Sequence, residues 1–404
     1  MWFVLLGVAL GALPLVMRGE YALGLAVLVG INTIIVLGLN LLMGYAGQVS
    51  LGQAAFVGIG AYATAILSAK LGWSPWLGLA AAALLGAAVA GVVGLPLLRL
   101  RGHYLAMGTL GFGIIVHIVI VQWESLTAGT VGITQIPPLA MGYVTFGEPI
   151  RMYVLVAAAV LVCVVTASNI VDSRVGRAMR AVHGSEVAAS TSGVDVQRYK
   201  RQVFVLSGAL AGLAGGLFAH YQGYISPESF DLSYSISLVV MAVIGGMASI
   251  WGAIFGAAAV TLINESLRAL LDYREVGFGL LVVLIMIFWP EGVWRGAAGT
   301  AERAWSRGGM RPLLGAVSAT LGGLAGFLLR PTDASGAQAT FLDVITRGAT
   351  LGELNRELAP LAQRSFAYLL IGVIVGAALG VTVGYFIDQR RRRDVVGMAV
   401  GRSV

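Results

Sequence analysis

The feature that most constrains this chain is a succession of long apolar runs, each close to the length needed to cross a lipid bilayer. Spanning the hydrocarbon core takes about 20 apolar residues, within a range of roughly 17–25. Such runs cover about 2–17, 21–43, 54–69, 76–98, 104–122, 152–168 and 202–220, followed by Ser237–Leu267, 277–290, 312–329 and 366–387. Of the 404 residues 58% are hydrophobic and 11% charged, against about 25% charged in an average soluble domain. A soluble fold of this length has too few polar side chains to cover its outside, whereas lipid solvates apolar helix faces directly. Unbroken runs, as opposed to alternating segments of about ten residues, exclude a transmembrane β-barrel. The expected fold is an all-α polytopic membrane helix bundle with Gly-broken or re-entrant helices. The 56 glycines suit helices whose backbones approach closely.

Charge placement orients the bundle. The segment Asn169–Arg201 carries Arg174, Arg177, Arg180, Arg198, Lys200 and Arg201, which places it in the cytoplasm. Tyr221–Ser235 has no Lys or Arg and holds Glu228 and Asp231, which suits the outside. Arg295, Arg303, Arg307 and Arg311 fall inside only if Ser237–Leu267 is two short helices or a re-entrant hairpin, broken at Gly245-Gly246 and near Gly252. Irregular backbone at membrane depth is tolerated where it is buried in protein or lines a cavity, so this break points to a translocation path. The run Arg390–Arg393 places the C-terminus inside, and both termini are expected in the cytoplasm. Met1–Met17 lacks a basic n-region and reads as a first span, not a cleavable signal. The net charge of +7 comes from arginines between apolar runs, so it reflects membrane topology and no nucleic-acid partner. One cysteine, Cys163, excludes an intrachain disulfide, and four scattered histidines lack metal-ligand spacing.

Within the cytoplasmic segment, Gly176-Arg177-Ala178-Met179-Arg180-Ala181 is followed by Glu186-Val187-Ala188-Ala189 and then Gly193. The pattern predicts two short helical pieces, with Gly193 placed to end the second. Ala181, Ala188 and Ala189 leave room for a partner's close approach, and the arginines offer charge-assisted contacts to carboxylates. An ordinary solvated basic loop would look similar.

Glu-x-Ala-Ala-x-x-x-Gly at Glu186–Gly193 resembles the coupling loop of bacterial ABC importer permeases. The wider chain resembles the LivM/LivH family of branched-chain amino acid permeases, nearer to LivM, through motifs in the same order. These are Gly44–Gln53, Gly58–Tyr62, Arg99–Ala106, Thr109–Gly113, Ala211–Gly216, Ser226-Pro227-Glu228, Ile244-Gly245-Gly246 and Pro290-Glu291-Gly292. The resemblance implies a permease domain over residues 1–310, and it leaves 311–404 as an extension with two predicted spans around a polar external segment. It departs from the family at His183-Gly184-Ser185, where an arginine-rich lead into the glutamate is usual, and at a weakened Thr-Gly-Gly loop near Thr127–Gly132.

The resemblance also implies partners: a second permease of the family, two ATP-binding cassette subunits and a periplasmic or lipid-anchored solute-binding protein. It places the chain in the bacterial cytoplasmic (inner) membrane. Coupling to the ATPase is implied for Gly176, Arg177, Ala178, Arg180, Ala181, Glu186, Ala188, Ala189 and Gly193. Pro227, Glu228 and Asp231 in the external loop are candidates for docking the binding protein. The only lysines, Lys70 and Lys200, follow Ala69 and Tyr199, so no Gly-x-x-x-x-Gly-Lys-Ser/Thr phosphate loop exists. ATP and magnesium therefore belong on partner subunits, the chain itself binds no cofactor, and it is not an enzyme.

Gly47 and Gly52 flank Gln48, Ser50 and Gln53 between two spans, and glycines can free backbone groups to face a solute. An amino-acid zwitterion needs donors, acceptors and apolar walls, which makes Gly47, Gln48, Ser50, Gly52, Gln53, Thr109, Gly245 and Gly246 candidates for the translocation path. Close helix packing with satisfied polar side chains explains the same residues. Gly208, Gly212 and Gly216 recur every four residues, as a packing stripe would. An ion-coupled transporter would call for paired intramembrane carboxylates, which the sequence lacks. A permease for urea or short amides would leave the same motifs.

Overall fold

The computed structural model describes residues 20–141 and 144–267, together with Leu10 and Gly279. The expected spans at 2–17, 277–290, 312–329 and 366–387 lie outside the described residues, as do Pro290–Gly292, the later arginine clusters, and the division at residue 310. The chain divides into two compact units, and the contacts below belong to the first, which runs to Ile263 before resuming beyond the described residues.

Ten helices of six residues or more carry the described part. They are α1 (Glu20–Asn40, continued by a π turn over Leu41–Tyr45), α2 (Gln53–Ala65, continued over Ile66–Lys70), α3 (Pro75–Leu97), α4 (His103–Gln122) and α5 (Pro149–Asp172). Then come α6 (Arg174–Gly184), α7 (Glu186–Thr191), α8 (Val196–Gln222), α9 (Leu232–Gly245) and α10 (Ile250–Leu267). Six of these segments are long and apolar enough to cross a membrane, with α10 a shorter apolar helix. A two-stranded antiparallel hairpin, β1 (Ala140–Met141) with β2 (Val144–Thr145), sits in the α4–α5 connection.

Helix ends follow local chemistry. Proline opens α3 and α5, where its missing N–H costs nothing. Asp195 caps α8 by accepting from Arg198 N at 3.1 Å, and Gly223, with φ +68°, ends the same helix. The cap moves Arg198, Lys200 and Arg201 out of the expected loop and into the first turns of α8.

α8 is the central post, packed most extensively against α3 and α2. Its Gly208, Gly212 and Gly216 meet Ala82, Gly86 and Ala90 of α3, with the methyls of Ala82 and Ala90 fully buried. A Cβ at Gly212 would collide with the Ala82 carbonyl, and one at Gly216 would come within 3.1 Å of the Ala82 methyl. On the adjoining face, Gly215 lies against the Val57 carbonyl of α2, and Gly60 of α2 against the backbone of Gly212. Such contacts give dispersion to helices that gain nothing from hiding apolar groups from lipid. Outward faces of α3, α4 and α5 remain apolar and exposed, as at Leu84, Val92, Met107, Ile115, Ile118 and Val162, the pattern of a lipid-solvated surface.

The stretch Ser237–Leu267 is broken as expected, into α9 and α10 around Gly246 (φ +104°) and Ala248 (φ +56°). Gly245 packs on Gly252 and Gly256, which lets the two helices fold back against each other. The backbone groups freed at this corner are taken by Asn40 at the end of α1. Its Nδ2 donates to Ser249 O at 2.7 Å and its Oδ1 accepts from Ala248 N at 2.8 Å.

Replacing Gly60 or Gly215 by valine drives a side chain into facing backbone, at a cost of about 1–3 kcal/mol or more. We expect both variants to lose monodispersity at lower temperature in detergent, read by size exclusion after heating. Gly111→Ala, where an added Cβ meets nothing within 4 Å, should leave the midpoint unchanged or raised.

Candidate functional site

The segment between α5 and α8 forms an elbow of two short helices. Ser173 caps α6 through Val175 N at 3.1 Å, and Ser185 caps α7 through Ala188 N at 3.2 Å. Beyond α7, Val194 N returns to Ala189 O at 3.0 Å while Gly193 takes φ +81°, a left-handed helix end that glycine adopts without strain. α6 is amphipathic: Gly176, Ala178, Met179 and Val182 are buried, while Arg177, Arg180 and Ala181 are exposed. Ala188 is exposed and Ala189 buried on α7. The elbow therefore presents arginines and small side chains outward while Arg180 also donates to Val171 O at 3.1 Å, bracing α6 on the end of α5.

Glu186 is half-buried at the start of α7. Its carboxylate pairs with the Lys200 ammonium and lies 3.4 Å from Arg101 Nε. The Lys200 side chain is 1% exposed, that of Glu186 22% and that of Arg101 71%. A buried ammonium needs a counter-charge, so the Glu186–Lys200 pair holds α7 on the first turns of α8, and the exposed Arg101 contact adds little. Lys200 was legible only as part of a basic cluster. Its burial follows from the earlier start of α8, which the Asp195 cap dictates.

The Gly47–Gln53 loop lies against this elbow. Gly47 has φ +68°, and a Cβ there would come within 2.9 Å of the His183 ring at the end of α6. Gln48, Ser50, Gln53 and Thr109 are all buried. Gln53 Nε2 donates to Ser207 Oγ of α8 at 3.0 Å, Leu51 N to Thr109 Oγ1 of α4 at 3.0 Å, and Ala54 N to Ser235 Oγ of α9 at 3.1 Å. Gln48 Nε2 donates to Ala46 O at 3.0 Å, and Gly52 packs on the Thr109 carbonyl. The loop and the first turn of α2 are thus tied to three helices as well as to α6. Ser50 Oγ and Gln53 Oε1 are buried and have no hydrogen-bond partner among the described residues. Gly245 and Gly246 are buried at the α9–α10 corner, whose free backbone Asn40 occupies. In the sequence, the one signal of Asn40 is an amide at the end of an apolar run.

At the opposite end of α8, Ile133 and Ile225 exchange hydrogen bonds at 3.0 Å, and His220 Nδ1 lies 2.8 Å from Pro137 O. The candidate docking residues sit here with different fates. Glu228 is exposed and Pro227 is buried, while Asp231 caps α9 by accepting from Tyr234 N at 2.9 Å. Among the described residues, no three His, Cys, Asp or Glu side chains come close enough to share a metal ion.

Residues 21–289 match the family described as the branched-chain amino acid transport system permease component. The chain is 35% identical over 231 residues to the high-affinity branched-chain amino acid transport system permease protein LivM of Escherichia coli, covering 51% of this chain and 54% of that protein. It is 31% identical over 123 residues to the corresponding LivH protein of E. coli, covering 30% and 40%, respectively. The ribose import permease protein RbsC of Haemophilus influenzae is 28% identical over 158 residues, covering 37% of this chain and 47% of RbsC. The chain spans about half the length of the LivM relatives it matches. No solved structure matches it significantly. A multi-pass helical bundle, with the ordered glycine motifs packed where its helices cross, completes the case: this chain belongs to the branched-chain amino acid permease family.

Proposed function

We propose that this chain is the transmembrane permease subunit of an ATP-driven importer, carrying branched-chain amino acids or similar small solutes across a bacterial cytoplasmic membrane. The observation that carries the reading is the elbow α6–α7. It is a short amphipathic projection between two long apolar helices, with Arg177, Arg180, Ala181 and Ala188 outward and its base held by Glu186–Lys200. Family membership supports it, as do the names of the LivM and LivH relatives, which are permease proteins of branched-chain amino acid transport systems.

In this reading the elbow faces the cytoplasm and docks on an ATP-binding cassette subunit, which holds ATP and magnesium. A second permease of the family completes the channel, and a solute-binding protein delivers cargo at the Pro227–Asp231 end. Force applied to α6 reaches the Gly47–Gln53 loop through His183 and reaches α8 through the buried ion pair. The loop and the α2 turn that follows it are bonded to α4, α8 and α9, so a shift of the elbow biases how those helices meet, a two-state element driven by nucleotide. The direct test is a detergent pull-down of the full chain followed by an ATPase assay. Cassette subunits and a second permease should co-purify, and a chain that elutes alone without ATPase activity would refute the importer.

Two outcomes are expected in the assembled complex. Reversing charge at Arg177 and Arg180 together should leave the chain inserted and the ATPase active while abolishing stimulation by loaded binding protein, and surviving uptake would show that α6 does not dock. Glu186→Ala leaves the Lys200 ammonium buried without its counter-charge, an expected loss of about 3–5 kcal/mol. That loss should appear as early thermal aggregation, and Lys200→Met in the same chain should recover most of it.

A further inference from the structure

A partly open cavity of about 250 Å³ lies away from the elbow, bounded by α2, α4, the Pro227–Phe230 turn and the first turn of α9. Its walls are largely aliphatic and aromatic, formed by Leu51, Leu110, Ile114, Phe230 and Leu232. Three polar side chains also line it: His117, Asp231 and Ser235. Each keeps hydrogen-bonding capacity in reserve. Asp231 Oδ1 accepts from Tyr234 N, leaving Oδ2 available. Ser235 is 3% exposed, and its Oγ accepts from Ala54 N, leaving its own hydrogen to donate. His117 Nδ1 is buried with no hydrogen-bond partner among the described residues. A buried ring nitrogen without a partner is costly unless something else completes its bond.

We infer that this cavity is a solute site for an aliphatic α-amino acid. The Asp231 carboxylate meets the ammonium group, His117 and Ser235 donate to the carboxylate, and the apolar wall receives the side chain. The volume lies below the roughly 300–1,000 Å³ of pockets for drug-sized ligands, which suits a solute of few heavy atoms. A sugar of similar size would strand hydroxyls against Leu110, Ile114 and Leu232, each losing water without a replacement partner. The inference rests on the permease reading and moves the principal solute contacts from the Gly47–Gln53 loop to α4 and α9. That loop contributes Leu51 to the wall, and the Gln53 amide nitrogen at its end is taken by Ser207 of α8. Orientation agrees with this role, since the cavity adjoins the Pro227–Asp231 end where a binding protein would release cargo.

Two substitutions address the cavity without attacking the packing. Asp231→Asn removes the charge and keeps an N-cap side chain. Gly113 lines the cavity, and a Cβ there meets Gly52 Cα at 3.6 Å, an ordinary contact, so Gly113→Leu starts from an accommodated Cβ and narrows the space. The experiment is photolabelling of the full chain in nanodiscs with a diazirine analogue of L-leucine, mapped by mass spectrometry. Label is expected in Leu110–His117 and Phe230–Ser235, displaced by excess L-leucine and not by D-ribose or urea. Either variant should lower it by about tenfold or more while remaining monodisperse. His117→Gln serves as the third variant should one of these fail to fold. Absence of label from both segments, label that the variants retain, or displacement by D-ribose would overturn the inference. ATP-dependent L-leucine uptake by the complete complex judges the permease reading separately: uptake with label elsewhere sinks only the cavity, and label here without ATP dependence sinks only the importer.

Discussion

The close approach of α8 to α2 and α3 is the contact on which the rest of the bundle depends. In lipid there is no hydrophobic gain from bringing apolar helices together, so association relies on dispersion between backbones that can come near enough. Gly208, Gly212, Gly215 and Gly216 on α8, with Gly60 and Gly86 opposite, remove the side chains that would hold the axes apart. Three helices thereby form one inner core, and α1 and α5 add to it through larger residues such as Ile31, Ile35 and Val156. α4 stands apart, with few buried positions and a long exposed apolar face. Its inner face is free to bound a cavity because it is not pressed into that core.

Polar side chains inside the bundle are used mainly to bind helices to one another. Asn40 closes the α9–α10 corner, Gln53 joins α2 to α8, and Tyr234 with Thr261 joins α9 and α10 to Asn32 on α1. An unmatched polar group in a water-free interior costs several kcal/mol by order of magnitude, so such groups occur where two elements must hold one register. The elbow α6–α7 follows the same rule at the bundle's edge. The buried Lys200 obliges Glu186 to stay with it, which converts a surface loop into a lever fixed at its base. Coupling in the proposed mechanism needs that stiffness, because a solvated loop would bend and not transmit a push.

Much of the fold was legible because the bilayer imposes a length. Apolar runs near 76–98 and 104–122 became helices within a residue or two of those bounds, and the glycine break within 237–267 became the turn between α9 and α10. The packing stripe on α8 was legible too, since residues four apart share one helix face. Legibility failed where a polar residue had two uses. Beyond the roles expected from the sequence, Glu186 pairs with a buried lysine, and Asp231 caps α9 beside a cavity. Nothing in the one-dimensional pattern marks His117 among its apolar neighbours, because its unmatched nitrogen exists only in the folded bundle.

By itself the sequence determined that the chain is a membrane-embedded helical bundle, where several of its described helices fall, and that its ordered motifs are those of a permease family. Those properties follow from hydrophobic length, charge asymmetry and local spacing, which are read one segment at a time. Only the tertiary structure decided which polar groups are consumed by other helices and which are left over. That choice depends on pairs such as Gln53 with Ser207, 154 residues apart, and Asn40 with Ala248, 208 apart. A hydrogen-bonding group has the same chemistry whether its partner is a neighbouring helix or a solute, and only the packing of the helices separates the two.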